Sequence, residues 1–231
     1  MRPNTVAPPR PLADKSAAQI IARTPIMKNF APLLALLLTA SLSSAQDAVP
    51  LAVPLADAQK YAQILADSAK DLTGLPLVCE LDLEKPAAIR AGEAGALVIP
   101  DKRVTTDKLA KAGKDAVPLG HLWLRNVAPW KDGNPLPNAD QRIVKVRSGD
   151  STAEAQLFVL AVRRNAADKL ELLVLAKTKE PVLTLPLEKS TVSGDAPIQI
   201  QGRKSGEHSG VLTLVFFGQH QAELTLGKPA E

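Results

Sequence analysis

The sequence predicts a mainly β protein: an antiparallel β-sandwich-like domain preceded by one amphipathic helix. Three observations predict it. After Gln141 seven short apolar runs follow one another, separated by Gly-, Asp-, Ser- and Asn-rich turn signals, the pattern of a sandwich or barrel. The joins between those runs are too short to hold crossover helices, so neighbouring strands are expected to be antiparallel. Only Leu55–Thr73 repeats its apolar residues at steps of three and four (Ala58, Tyr61/Ala62, Leu65, Ala69, Leu72), the period of a half-buried helix.

In chain order, residues 1–26 hold Pro3, Pro8, Pro9, Pro11 and Pro25 and show no apolar period. They read as a leader that is either untranslated or discarded. Met27–Ala45 has the three parts of a secretory signal: Lys28, an uncharged Leu/Ala run over Phe30–Leu42, and Ser43-Ser44-Ala45 as a small-residue cleavage site. The apolar run is shorter than the roughly 18–20 residues a spanning helix needs. An exported protein cleaved after Ala45 is therefore expected. Residues 46–54, with two prolines, read as a tether. A single β-rich domain is expected over 55–231, with its helix at 55–73, closed by Gly74 and Pro76, and its sandwich core at 141–227.

Leu77–Leu83 alternates apolar and polar residues around Cys79 and reads as a half-buried strand. Lys85–Gly95, with Pro86, Gly92 and Gly95, reads as a loop. Ala96–Pro100 is a short buried strand. Thr105 can cap a short helix reaching Ala112. Leu119–Val127, containing Trp123, is a strand, and Ala128–Asp140 is the longest loop signal. The remaining strands are expected at Arg142–Arg147, Glu154–Arg163, Leu170–Ala176, Val182–Leu187, Pro197–Gly202, Val211–Phe217 and Gln221–Leu226.

Charge argues against nucleic acid. The chain has 28 basic and 24 acidic residues, but five of the bases and one acid precede residue 46, leaving 23 of each afterwards. The basic pI thus belongs to the leader. A local excess persists over 102–147, where Arg125, Lys131, Arg142, Lys145 and Arg147 could form an anion-binding face. Solvated strands beside acidic neighbours are the simpler explanation. Aromatic residues are scarce, which removes the stacking platforms that single strands need. Cys79 is the only cysteine, so no internal disulfide can form, and its place in an apolar run reads as core packing.

Motifs that carry chemistry are weak. Gly149-Asp150-Ser151 resembles a serine-esterase nucleophile block, but a hairpin turn explains its Gly and Asp. His121, His208 and His220 lack metal-ligand spacing and read as unrelated surface or edge residues. Asp132, Asn134, Asn138 and Asp140 offer calcium-type oxygens, but not at EF-hand spacing. Trp130, beside Lys131 in the long loop, could stack on a sugar or anchor a partner; covering the core is the plainer role.

No cofactor, metal or catalytic residue is expected. The functional expectation is an exported, non-catalytic module of the cell envelope or periplasm that binds a protein partner. The alternative is a carbohydrate-binding module. In either case the contact set is Trp130, Lys131, Asp132, Asn134 and Arg142. An exported hydrolase with dispersed carboxylates is a third class with no positive sign.

Overall fold

A computed structural model describes residues 49–230; the leader, the signal segment and the cleavage site lie outside the described residues. The expected fold class holds: two antiparallel sheets face each other, and one long helix precedes them in the chain. The elements are β1 (Leu51–Ala52), α1 (Leu55–Ala69), β2 (Ala87–Ala91), β3 (Ala94–Pro100), α2 (Thr106–Ala110), β4 (Val117–Arg125), β5 (Ala128–Lys131), β6 (Asn134–Pro135), β7 (Arg142–Ser148), β8 (Ser151–Arg164), β9 (Leu170–Leu175), β10 (Pro181–Pro186), β11 (Glu188–Lys189), β12 (Ile198–Lys204), β13 (Ser209–Phe216) and β14 (His220–Gly227).

The larger sheet runs β1-β2-β3-β4-β8-β9-β10, with β7 also pairing β8. The smaller runs β12-β13-β14-β5-β6, with β11 on β14. Between them lies the main core. Val98, Leu122, Leu124, Phe158, Leu160 and Val174 from one sheet meet Ile198, Leu212, Leu214, Phe216 and Leu224 from the other. The alternate residues of the larger sheet point the other way, and they are buried too. Ala58, Ala62 and Ala69 of α1 cover Ala88, Leu97, Trp123, Val144 and Leu157. Leu75, Leu77 and Cys79 cover Val159, Ala161, Leu173 and Leu175. A sheet covered on both faces reads as a continuous apolar run, which is why every residue from Ala155 to Val162 is buried.

Several local expectations are corrected. Residues 85–95 are not a loop: Ala87–Ala91 and Ala94–Pro100 pair as a hairpin about Gly92 and Glu93, with Gly92 at φ +57°. The alanines of β2 carry no strand signal of their own; pairing supplies it. The tether is not free either, because Leu51 and Ala52 pair with Arg90 and Ile89. The helix ends at Ala69, a turn early. The chain reverses at Gly74 (φ +67°), where the Arg142 guanidinium donates to the carbonyls of Thr73 and Gly74 at 3.3 and 2.7 Å.

The Cys79 segment is not a strand. A single bridge, Leu81 to Asp101, joins it to the body. Asp101 holds it instead. This buried carboxylate accepts from the Glu80 N–H at 2.9 Å and from Arg103 Nε and Nη2 at 2.9 and 2.6 Å. Arg103 Nη2 in turn donates to the Val78 carbonyl at 2.8 Å. Burial opposes the charge on Asp101, but Arg103 and these N–H groups outweigh it and hold the carboxyl below its usual range. Thr105 caps α2 as expected, accepting from the Lys108 N–H at 3.2 Å.

Candidate functional site

The expected contact set does not assemble into one site. Ala128–Asp140 is a short hairpin and a 3-10 turn, not an open loop. Lys131 pairs with Asn134 across Asp132 and Gly133, both at positive φ (51° and 81°). That is the two-residue Asp-Gly hairpin signal, legible in the sequence but read there as loop. Lys131, Asp132 and Asn134 are exposed at its tip. Trp130 is half-buried. Its Nε1 donates to the Lys228 carbonyl at 3.2 Å, and its ring lies so close over Gly227 that a Cβ there would fall 2.4 Å from it. It clamps the end of β14 to β5. Arg142 stands apart, on the larger sheet, donating to the carbonyls of Thr73, Gly74 and Ala176.

The five basic residues also separate. Lys145 and Arg147 are exposed on β7, and Lys145 lies opposite Glu154 in the register. Lys131 is on the smaller sheet, and Arg125 lies on β4. Ser151 follows the Gly149–Asp150 turn directly, so the block that resembles a nucleophile motif is a hairpin. Among the described residues no group of three or more His, Cys, Asp or Glu is arranged to hold a metal ion, and no helix is long and apolar enough to cross a membrane.

The histidine expectation is corrected at one position. His208 is exposed, but His121 is buried on β4 between Ile99 and Val159, and neither ring nitrogen has a partner. Burial pushes its pKa down to about 4, against a small opposing pull from Asp101.

Cys79 packs against the outer face of the larger sheet. Burial first, then the Asp101 charge, push its thiol up to about 12. Thiolate is the reacting species, so at pH 8 only about one thiol in ten thousand is ionised, given tenfold per pH unit. The native protein is therefore expected to react with a disulfide reagent at least about a hundredfold more slowly than after urea unfolding. Equal rates in the two states would place Cys79 at the surface.

The feature that contact-set reasoning missed is a cleft of about 400 Å³ between α1 and the larger sheet. Its origin is the size of a few side chains. The helix approaches the sheet through alanines (Ala58, Ala62, Ala69), while Tyr61, Ile64 and Leu65 overhang an adjoining stretch of sheet. Beneath that overhang the floor is small: Gly95 on β3, Ala88 on β2, and Ala153 and Ala155 on β8. A Cβ at Gly95 would meet only the Ile89 carbonyl, at 3.7 Å. Glycine inside a strand often marks a place where something else approaches the backbone. Leu97, Trp123 and Val146 complete the apolar walls, and Arg90, Arg125, Asp57 and Glu154 supply the charge. The only sequence signals for it were the small residues of 87–96, and glycine and alanine there read equally well as loop.

The cleft is held open by fixed elements. Arg142 ties down the chain after α1, and Gln59 Nε2 donates to the Glu84 carbonyl at 2.9 Å. A cleft of several hundred Å³ with apolar walls and a few polar groups is the usual form of a small-molecule site. No protein-family model, curated protein or solved structure matches this chain.

Proposed function

We propose that the chain is an exported, non-catalytic binding module of the cell envelope or periplasm, and that it takes an apolar group into the cleft between α1 and the larger sheet. The carrying observation is the cleft itself: about 400 Å³ of preformed space, floored by Gly95 and alanines in a sheet whose outer face is otherwise covered. For scale, an apolar cavity of about 150 Å³ holds a benzene. Export rests on the Met27–Ala45 pattern, and the mature amino terminus, read by Edman degradation or mass spectrometry, tests it.

The binding claim is tested with the apolar dye N-phenyl-1-naphthylamine. Saturable fluorescence enhancement is expected with the wild-type protein. Gly95→Leu should weaken it at least about tenfold, roughly 1.4 kcal/mol, because the new side chain fills the floor of the cleft. Backbone strain does not confuse the test, since Gly95 is not in the left-handed region and has no close neighbour. Absence of saturable binding, or equal binding by the variant, would remove the cleft as the site.

A protein partner is the second reading. It is favoured by Val49, Leu51 and Leu55, which are 74, 60 and 55 % exposed and flank the chain's entry into the cleft. Such a fringe suits an interface with a second chain. The carbohydrate reading has less support, because the indole it relied on is engaged by Gly227 and Lys228.

A further inference from the structure

Between Gly74 and Glu80 the chain crosses the outer face of the larger sheet without joining it. Leu75, Leu77 and Cys79 lie on Val159, Ala161, Leu173 and Leu175. Yet among the described residues no backbone group of residues 75–79 bonds to another backbone; Arg103 Nη2 holds the Val78 carbonyl at 2.8 Å. The two ends are fixed more firmly. Arg142 donates to the carbonyls of Thr73 and Gly74. At the other end the Glu80 N–H donates to Asp101 Oδ2, and the Glu80 carbonyl accepts from the Lys102 N–H. A short span with few backbone bonds, anchored at both ends, opens at lower cost than the strands beneath it.

That span covers His121. In the register His121 pairs with Ile99 on one side and Val159 on the other. Paired residues share a face of the sheet, so all three point outward. Val159 belongs to the patch under Leu75, Leu77 and Cys79, and Ile99 to the one packed by Leu81 and Leu83. The Cys79 sulfur lies against the backbone of Gly120, one residue from His121. Neither nitrogen of the buried ring has a partner. A neutral imidazole bears this at modest cost. An imidazolium carries a charge and two N–H donors, and it needs water or a partner for both.

The charged groups around it are already matched. Asp101 exerts a small pull on His121, but it is bound by Arg103 at 2.6 Å and is held charged below the usual carboxylate range. Glu80 lies 3.6 Å from Arg103, and Asp82 lies 3.8 Å from Lys85. Further along the same face Arg163 and Glu171 pair at 2.6 Å. The Cys79 thiol is neutral, since burial raises it, and α1 lays alanines on this side of the sheet.

We propose that residues 75–79 form an acid-opened flap: a proton on His121 lifts them off the sheet, while Gly74 and Glu80 stay anchored and the core between the two sheets stays folded. Open, the ring is hydrated and takes its proton near pH 6.5, as in an unfolded chain. Closed, burial holds it to about 4. The closed form thus has its full stability above pH 6.5 and loses it as pH falls towards 4. From pH 7 to pH 5 the open fraction is expected to rise about twentyfold. The Glu80 anchor survives this change because Asp101 keeps its charge. Opening bares the apolar strip of Val159, Ala161, Leu173 and Leu175 and gives solvent the Cys79 thiol.

That thiol is the reporter. Its labelling by 4,4′-dithiodipyridine is measured at pH 7 and pH 5, each rate divided by that of the urea-unfolded protein at the same pH. The ratio removes the ordinary pH dependence of thiol chemistry and leaves the protection given by the fold. Protection is expected to fall about twentyfold in the wild type and to change less than about threefold in His121→Leu. At pH 5 the native rate should also be nearly independent of urea below the unfolding transition, since a small opening exposes little surface. Protection that is the same at pH 7 and pH 5 overturns the proposal, as does an equal fall in a folded His121→Leu protein. A rate that climbs with urea as steeply as global unfolding overturns it too, because the whole domain would then be opening. If His121→Leu does not fold, judged by its melting transition, the pH and urea dependences of the wild type decide.

Discussion

Gly120→Ala is expected to destabilise the protein by about 3 kcal/mol or more, one of the largest effects available from adding a single methyl group. Gly120 lies in the middle of the larger sheet, paired with Pro100 on one side and Leu160 on the other, and the register with β8 shifts between Pro118 and Gly120. The bulge puts Gly120 at φ +150°, and a Cβ there would fall 2.2 Å from the Ile99 carbonyl oxygen and 2.8 Å from the Pro100 Cα. Both obstacles are backbone in a strand buried on both faces, so no flexible side chain can move aside. The local register organises its surroundings. The Leu119 carbonyl accepts from the Asp101 N–H at 2.8 Å, and Asp101 is the group that staples the Cys79 segment to the sheet. For a domain of this size about 3 kcal/mol corresponds to a fall of roughly 6–12 °C in melting temperature. Gly113→Ala is the control: nothing lies within 4 Å of its Cβ position and its φ is ordinary, so a change within about 0.5 kcal/mol is expected. Thermal unfolding followed by tryptophan fluorescence decides. A Gly120→Ala melting point within about 2 °C of wild type would mean the bulge relaxes freely.

The second large effect is a loss of stability on mild acidification, traced to His121. The residue is 3 % exposed, with both ring nitrogens unpartnered, and burial lowers its pKa from about 6.5 to about 4. In the unfolded chain the ring takes up its proton near pH 6.5; in the folded protein it resists until about pH 4. Above pH 6.5 both states are neutral and nothing is lost. As pH falls from 6.5 towards 4 the unfolded state binds the extra proton, and stability declines by up to about 1.4 kcal/mol per pH unit, roughly 3 kcal/mol in all. Asp101, whose carboxyl is held below the usual range, contributes in the same direction only at the acid end of that window and beyond. His121→Leu should therefore flatten the curve between pH 6.5 and 4 and leave the more acidic limb in place. Urea midpoints of both proteins at pH 7 and pH 4.5 measure it. An identical drop in wild type and variant would show that other groups carry the acid sensitivity.

His121 also shows where sequence reasoning stopped. A histidine in the run Leu119–Val127 reads as a strand residue, but its environment depends on Ile99 and Val159, which come from strands before and after it in the chain. The same holds for the cleft. Gly95 is visible in the sequence; that Arg90 and Arg125 flank it is a matter of register between three strands. Trp130 illustrates the converse: an indole in a Pro/Asp/Asn segment reads as a free platform, yet Gly227, distant in sequence, provides the bare backbone on which it rests.

What the sequence determined by itself was local. Seven β runs after Gln141, the helical period beginning at Leu55 and the Thr105 cap are short-range patterns, imposed by the 2.0 and 3.6 periodicities of side-chain direction and by capping chemistry, and they are found near where they were expected. The tertiary structure decided everything that required a distant partner. The alanine-rich strand β2, too weak to declare itself, forms because β3 supplies its hydrogen bonds. Sheet membership, the second covered face of the larger sheet, the bulge at Gly120, the burial of His121 and the cleft over Gly95 were likewise set by pairing. The physical reason is that a strand satisfies its backbone on a neighbour and not within itself, so its register and its two faces exist only once that neighbour is in place.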